Sequence, residues 1–500
     1  MKKKEYISDK ISVSDIENWK YNDVILISAP TGRGKSTFIM DKLYGNAKKN
    51  NKKILLLSNR DILKKQFEKE LEVRENTEII DIVNYQLIED RILHNKDISK
   101  FKDYDYIVAD EAHYFFDDSS FNDTTDLSLE WILNQEDKTR IFMSATSDFL
   151  TRYLTGHKKI DIIPYIIEDD YTYIENLYFY EDDEVLKKML HELPENEKAI
   201  YFAPANKAYK INGELDDSSF ICSKNNKSYN KYIDEEIRQQ IIDKEKFDCQ
   251  VLCTTTVMDN GINIKDDNVK HIIIDVFDIN TIIQCLGRRR IQNIDETINV
   301  YIRNCDGQVL SGKKQGIINK IKYPKILIYE GQDILIEKHP RKNYGNAIYE
   351  IINKDGQIEK RVNNIMYFKY LNTALFCEEL LNKNSKKAYK RRITKELGFN
   401  IAMTQDLESV YDAIALQDYL DKFVNIRLFE EEQNELIEII DLRDSRNRQQ
   451  KSYKQIKAYI EENTSHTIVR GRDKRRKLKN GNDNPNRDKY YWEIVKTEIV

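Results

Sequence analysis

Ala29-Pro30-Thr31-Gly32-Arg33-Gly34-Lys35-Ser36-Thr37 follows the apolar run Val24–Ser28 and opens a helical pattern at Lys35. That order of strand, glycine-rich loop and helix decides the fold. A nucleoside triphosphate is held by backbone N–H groups turned inward around its phosphates. Gly32 and Gly34 let the chain come that close without a Cβ in the way. Lys35 brings a cation to the β- and γ-phosphates, and the Ser36 hydroxyl is suited to Mg²⁺. Pro30, Thr31, Arg33 and Thr37 complete the cradle, and Ala29 stands where the general pattern has its first glycine. The loop reads as a site for a nucleoside triphosphate with Mg²⁺.

Hydrolysis of a triphosphate also needs a metal-holding carboxylate and a group that positions water. Tyr104-Asp105-Tyr106-Ile107-Val108-Ala109-Asp110-Glu111-Ala112-His113 supplies an apolar strand that ends in adjacent carboxylates. At the C-terminal edge of a parallel sheet such residues point into the ligand crevice. Asp110 is expected to hold Mg²⁺ and Glu111 to orient or deprotonate the attacking water.

Outward from these stretches, short apolar runs alternate with helical patterns. In a first block the runs cover 24–27, 54–57, 106–109 and 141–143, with helices expected over 35–48 and 60–71. A second block has runs at 199–202, 220–222, 250–253, 271–276 and 299–302. Buried strands alternating with helices imply parallel sheets with crossover connections. The acidic, tyrosine-rich stretch 168–183 is the expected joint, and a structured one. The fold class is therefore α/β: two tandem P-loop domains with parallel sheets, then a mainly helical or α+β C-terminal region. Boundaries are expected at 1–165, 166–325 and 326–500. Five hundred residues, at about 150 residues per domain, suit three domains.

Composition narrows the function classes. Charged residues make up 33% of the chain and hydrophobic ones 40%. No apolar run approaches the roughly 18 residues of a membrane span, and Met1 to Tyr6 is basic with nothing apolar behind it. A cytoplasmic protein is expected. Cys222, Cys249, Cys253, Cys285, Cys305 and Cys377 form no CxxC pair and read as small buried hydrophobes. The histidines show no zinc-binding spacing, so no structural metal is expected. Net charge is −5, so a nucleic-acid partner would be held by a local track and not by the whole surface.

The motif order resembles that of the superfamily 2 helicases, specifically the DEAH-type group with two RecA-like domains. Asp110-Glu111-Ala112-His113 and the phosphate loop carry this first. Ser144-Ala145-Thr146 looks like motif III, Ser58-Asn59-Arg60 with Gln66 like motif Ia, and Asn84-Tyr85-Gln86 like the Ib region. The run 199–204 with Asn206 and Lys207 resembles motif IV, and 251–263 resembles motif V, with Thr255 six residues before Gly261. Gln284-Cys285-Leu286-Gly287-Arg288-Arg289-Arg290 resembles motif VI. The resemblance covers about residues 20–305. It implies Gly261 at the nucleotide, Gln284 as a sensor of the γ-phosphate or the water, and Arg288 as a finger on the γ-phosphate. The family places a second finger arginine at 291, where this chain has Ile291; Arg290, one residue displaced, is taken to substitute. Arg60, Tyr85, Lys207 and Thr255 are the expected nucleic-acid contacts, through phosphates and without sequence preference.

The C-terminal third carries none of these motifs. Its segment 366–445 reads as largely helical. The last fifty residues carry 13 Lys and Arg against 7 Asp and Glu, concentrated around 470–479 with Tyr490-Tyr491-Trp492 behind. That cluster suits phosphates and stacked bases, or equally a solvated surface; the region is also where a protein partner would sit. The expectation is an ATP-dependent helicase or translocase with single-stranded DNA or RNA as its track. The alternative is an ATP-gated nucleic-acid-binding switch in a larger mobile-element or defence complex, without autonomous unwinding.

Overall fold

A computed structural model describes residues 5–59, 67, 71, 78–256, 263–293, 295–340, 343–353, 355–444, 446 and 448–497. The helix expected over 60–71 falls outside these except for the buried Phe67 and Leu71. Arg60, Gln66 and Gly261 lie outside them altogether.

The first sheet is built from β1 (Val24–Ser28), β2 (Ile54–Ser58), β3 (Ile80–Asn84), β4 (Tyr106–Ala109), β5 (Thr139–Ser144) and β6 (Ile163–Ile166), in the order β3-β2-β4-β5-β1-β6. Every neighbouring pair is parallel. The central strands are apolar on both faces, as a sheet covered by helices on both sides requires. Alternate residues part accordingly. Ile25, Ile27, Ile54 and Leu56 pack with Phe38, Ile39 and Met40. Val24, Leu26, Leu55 and Leu57 pack with Phe115, Trp131 and Phe142 on the other face.

Two strands of this sheet give little sequence signal. Asp81 interrupts the apolar run of β3, and β6 is mostly exposed and contains Pro164. Pro164 is tolerated because β6 is an edge strand, paired to β1 alone.

The joint carries strand β7 (Ile174–Tyr180). The second sheet then uses β8 (Lys198–Phe202), β9 (Ser218–Ile221), β10 (Val251–Thr254), β11 (Val269–Ile274) and β12 (Ile298–Arg303). These neighbour one another in the order β12-β11-β8-β10-β9, all parallel. The strand expected to end at Val276 stops at Ile274, leaving Asp275 on the C-terminal edge. All six cysteines are buried and free.

After β12 come the long helices Gly307–Glu330 and Asn364–Asn382, with a hairpin of β13 (Ile348–Ile352) and β14 (Ile358–Val362) between them. The second helix docks on the first sheet's domain. Ile365 joins the core around Phe115, Phe368 meets the Tyr153 ring at 5.2 Å, and the Lys369 ammonium donates to the Phe116 carbonyl at 2.9 Å. By contacts the chain divides into two units, Met1–Leu177 with Leu190–Met403, and Tyr178–Met189 with Thr404–Val500. Both parallel sheets thus fall essentially within the first unit.

The second unit is α+β. It includes the short β15 (Thr404–Asp406) and a three-stranded sheet of β16 (Arg427–Leu428), β17 (His466–Arg472) and β18 (Tyr490–Lys496), ordered β16-β18-β17. Helices Leu407–Lys422, Glu430–Ile440 and Tyr453–Asn463 supply Leu420, Leu436, Ile456 and Ile460 to a core closed by Ile468, Trp492 and Ile494. Among the described residues no helix is long and apolar enough to cross a membrane.

Leu56 is fully buried in β2, whereas Leu375 on the docked helix is 63% exposed. Leu56→Ala should destabilise the protein by about 2–5 kcal/mol and lower the midpoint of a thermal or urea melt. Leu375→Ala should leave that midpoint nearly unchanged.

Candidate functional site

The loop after β1 turns on two glycines in the left-handed region, Gly32 at φ +77° and Gly34 at φ +78°, where a side chain would be strained. Lys35 begins the helix, is only 8% exposed, and folds its ammonium back to the Ala29 carbonyl at 2.9 Å. Ser36 is half-buried beside it. The loop is braced from the N-terminal side by helices Ile7–Lys10 and Val13–Asn18. Ile7 N donates to the Arg33 carbonyl at 3.0 Å, and the Lys42 ammonium donates to the Ile11 carbonyl at 2.9 Å. This brace was not anticipated. Its signal is the capping pair Ser12 and Asp15, in which each side chain accepts the other's backbone N–H at 3.1 and 2.7 Å.

The carboxylate pair leaves the end of β4. Asp110 N still donates to the Leu57 carbonyl at 3.0 Å, and Ala112 N donates to Met143 at 2.8 Å. Between them Glu111 takes φ +49°, a strained conformation that costs roughly 1–3 kcal/mol for a residue with a Cβ. Asp110 is buried, and burial together with the neighbouring Glu111 charge pushes its carboxyl upward against the pull of Lys35. Burial alone would also raise Glu111. Lys35, His113, Arg288 and Arg290 together hold it below the ordinary glutamate value instead. His113 Nδ1 lies 3.3 Å from a Glu111 carboxylate oxygen and 3.2 Å from Ser144 Oγ. Ser144 Oγ in turn donates to the Thr146 carbonyl at 2.7 Å and accepts from Thr146 N at 3.0 Å. One chain of contacts therefore links the carboxylates to the loop after β5.

The third part comes from the second sheet's domain. Helix Ile279–Arg288 is capped by Asp278, whose carboxylate accepts from Thr281 N at 2.9 Å. It buries Ile282, Cys285 and Leu286, while the i, i+3, i+4 set Gln284, Gly287 and Arg288 shares the opposite face. Gln284 Nε2 donates to Asp117 at 2.5 Å and to Thr146 Oγ1 at 3.3 Å. A Cβ at Gly287 would lie 3.3 Å from Thr31 Oγ1, so this helix runs against the phosphate loop itself. Past Arg288 the chain is extended, and successive side chains point opposite ways. Arg289 turns inward to Glu296 at 3.0 Å and is 2% exposed. Arg290 turns back to the cleft, with its Nε donating to Asn263 Oδ1 at 2.8 Å. Arg288 and Arg290 thus both act on Glu111, and Arg289 is structural.

The expected nucleic-acid contacts fare differently. Tyr85 is fully buried, its hydroxyl donates to the Asp110 carbonyl at 2.8 Å, and its ring stacks on Tyr114 at 4.7 Å. That corrects the reading of Tyr85 as a contact: it packs beneath the carboxylates, out of reach of a strand. The Lys207 ammonium is paired to Asp275 at 2.9 Å, alongside Arg303 at 2.8 Å and the Tyr201 hydroxyl at 3.2 Å. Thr255 follows β10 directly and is half-buried. Arg60 and Gly261 lie outside the described residues. Asp117 was missed. Its signal was its spacing, one helical turn after His113 and on the same side.

The family model described as DEAD/DEAH box helicase matches residues 11–152, and that described as Helicase conserved C-terminal domain matches residues 181–292. Together they cover just over half of the chain. No curated protein sequence matches it. Similar solved structures include S. cerevisiae Dbp5 bound to RNA and ADP BeF3, at 17% identity over 58% of this chain and 82% of that one, with a TM-score of 0.38. A singly substituted form in the same bound state has the same identity and coverage and a TM-score of 0.40. The Escherichia coli DEAH/RHA helicase HrpB is 16% identical over 58% of this chain and 42% of that one, with a TM-score of 0.38.

Tyr85→Phe removes one buried hydrogen bond and should lower stability by about 1 kcal/mol, read as a small fall in melting temperature. Affinity for single-stranded nucleic acid should not change; a large loss of affinity at unchanged stability would restore Tyr85 to the strand-contacting set.

Proposed function

Since this chain belongs to the DEAD/DEAH box helicase family of superfamily 2, and is thereby a nucleic-acid helicase or translocase, we propose that it hydrolyses ATP with Mg²⁺ to drive movement along one strand of DNA or RNA. The observation that carries the proposal is the convergence of Lys35, Glu111, Arg288 and Arg290 from two domains on one buried cleft. Residues 1–165 and 166–325 would be the two bodies that close on the nucleotide.

The residues fit Mg-ATP. A buried cation stands beside one buried and one half-buried carboxylate, and a Cβ at Gly32 would meet nothing within 4 Å, which leaves room above the loop. The bound ion would neutralise phosphate charge as the bond to the γ-phosphate breaks. Ser36 and Asp110 would hold it, and backbone N–H groups of 30–37 would cradle the phosphates. Lys35 would leave the Ala29 carbonyl for the β- and γ-phosphates. Glu111, kept ionised by its cationic neighbours, would orient the attacking water and accept its proton on a carboxylate oxygen. Arg288, with Arg290 beside it, would meet the charge that grows on the γ-phosphate. Gln284 would act as a positioning residue: its bonds to Asp117 and Thr146 tie the second domain to the loop after β5. Lys207 and Thr255, at the C-terminal edge of the second sheet, remain the proposed phosphate contacts to the strand, with Arg60 and Gly261 in their family roles.

ATPase activity with no polymer, single-stranded DNA, single-stranded RNA and duplexes tests this reading. Strong stimulation by one polymer is expected and names the track. Unstimulated turnover with ATP still bound would favour the switch subunit of a larger complex. Lys35→Ala should lower kcat by about a hundredfold or more, and wild-type hydrolysis by that variant would remove the site. Glu111→Gln should bind ATP normally and lose turnover. Asp117→Ala should leave the ATP dissociation constant within about threefold while blunting polymer stimulation, because Gln284 loses its shorter partner.

A further inference from the structure

The second unit carries a basic finger that the cleft does not use. Strands β17 and β18 are antiparallel, with Arg470 opposite Trp492 and Arg472 opposite Tyr490. Opposed residues share a face, so the row Ile468, Arg470, Arg472 and the row Ile494, Trp492, Tyr490 form one surface. At one end Ile468 and Ile494 are buried under the helices. At the other the cover ends, and Tyr490 is 57% exposed. Arg470 stands 4.5 Å from its ring centroid and Arg472 stands 6.0 Å from it. An aromatic face flanked by guanidinium planes is a stacking platform for a base.

The segment joining the strands is ordered around one carboxylate. Asp473 is fully buried and accepts from Arg475 N at 3.0 Å, Arg475 Nη2 at 2.6 Å, Asn484 Nδ2 at 3.1 Å and Arg427 Nη1 at 3.0 Å. Its bond to Arg475 leads these donors in holding its carboxyl far below the ordinary range, against the opposing effect of burial. On the opposite face Tyr491 lies across the bare backbone of Gly471 and under Arg427, whose guanidinium is 4.2 Å from the ring. The hairpin is braced from both sides.

This bracing turns cations outward. Residues 466–496 carry ten Lys and Arg against four Asp and Glu, in a chain whose net charge is −5. Of the four acids, Asp473 is internal, Glu493 faces Arg427 at 3.7 Å, Asp488 lies 3.7 Å from Arg472 and from Arg487, and Asp483 is exposed, bridged through the backbone to Lys477. Arg470, Lys474, Arg476, Lys477, Lys479 and Lys489 are exposed and form no ion pair among the described residues.

We infer that this finger is a second nucleic-acid site, separate from the cleft, which binds single strands by stacking a base on Tyr490 between Arg470 and Arg472. The phosphates run along Lys474, Arg476, Lys477 and Lys479. The site reads no sequence and needs no nucleotide, because every contact is to a base face or to the backbone.

The test measures binding of the full chain to fluorescent homopolymers of single-stranded DNA, single-stranded RNA and a blunt duplex, without ATP and over a range of salt. Tyr490→Ala should weaken single-strand binding about tenfold or more, and Tyr490→Phe should restore it. Replacing Arg476, Lys477 and Lys479 together by Gln should flatten the logarithmic salt slope by about 2. Polymer-free ATPase and the melting temperature should match wild type in each variant. A photoreactive thio-substituted oligonucleotide should cross-link within residues 466–496. Unchanged single-strand affinity and salt slope in both variants, or cross-links confined to residues 5–403, would overturn the assignment. A finger that prefers duplex over single strands would overturn the stacking mode.

Discussion

Two carboxylates placed side by side in a buried crevice cannot both stay charged unless cations come to them, and that requirement organises the first unit. Asp110 and Glu111 sit at the end of β4. One compensating charge, Lys35, arrives from the loop after β1, two strands away in the sheet order. The others, Arg288 and Arg290, belong to the second sheet's domain. Without these cations and His113, burial would push the Glu111 carboxyl upward instead. The parallel order of β4, β5 and β1 is what brings both loops to one edge. The amphipathic split of the helix Ile279–Arg288 is what aims the second domain at them.

Most of this arrangement could be read from residues alone, for a physical reason. Buried parallel strands are continuous apolar runs, so β1, β2, β4, β5 and β8 to β12 stand out with ends correct to about two residues. The phosphate loop and carboxylate pair need particular residue types at particular spacings. Edge strands carry weaker signals: β3 is broken by Asp81, and β6 holds Pro164 and little buried surface. The site was legible where chemistry dictates the residue, and less so where packing chooses the partner. Tyr85 looked like a surface contact because an aromatic side chain in a motif has no address in the sequence; its position against Tyr114 and the Asp110 carbonyl gives one. Gln284 pairs with Asp117, which no motif flags, and the alternation of Arg288, Arg289 and Arg290 appears only once the helix is seen to end at Arg288.

The second unit shows the same division differently. Its helices were visible in their charge spacing, yet nothing in the composition of 470–479 distinguishes an ordered basic finger from a loose tail. The difference is made by Asp473, a single acid inside a basic run. Burying it with Arg427, Arg475 and Asn484 converts a self-repelling segment into a shaped one, since unfolding the loop gives up the bonds those three residues donate to that carboxylate.

The meeting of Gly287 with Thr31 carries a mechanical meaning. With no side chain at Gly287, the helix backbone comes close enough to the loop that an added methyl would stand only 3.3 Å from the Thr31 hydroxyl. A side chain at that place would press on the phosphate loop, so the missing methyl lets the two surfaces meet closely there.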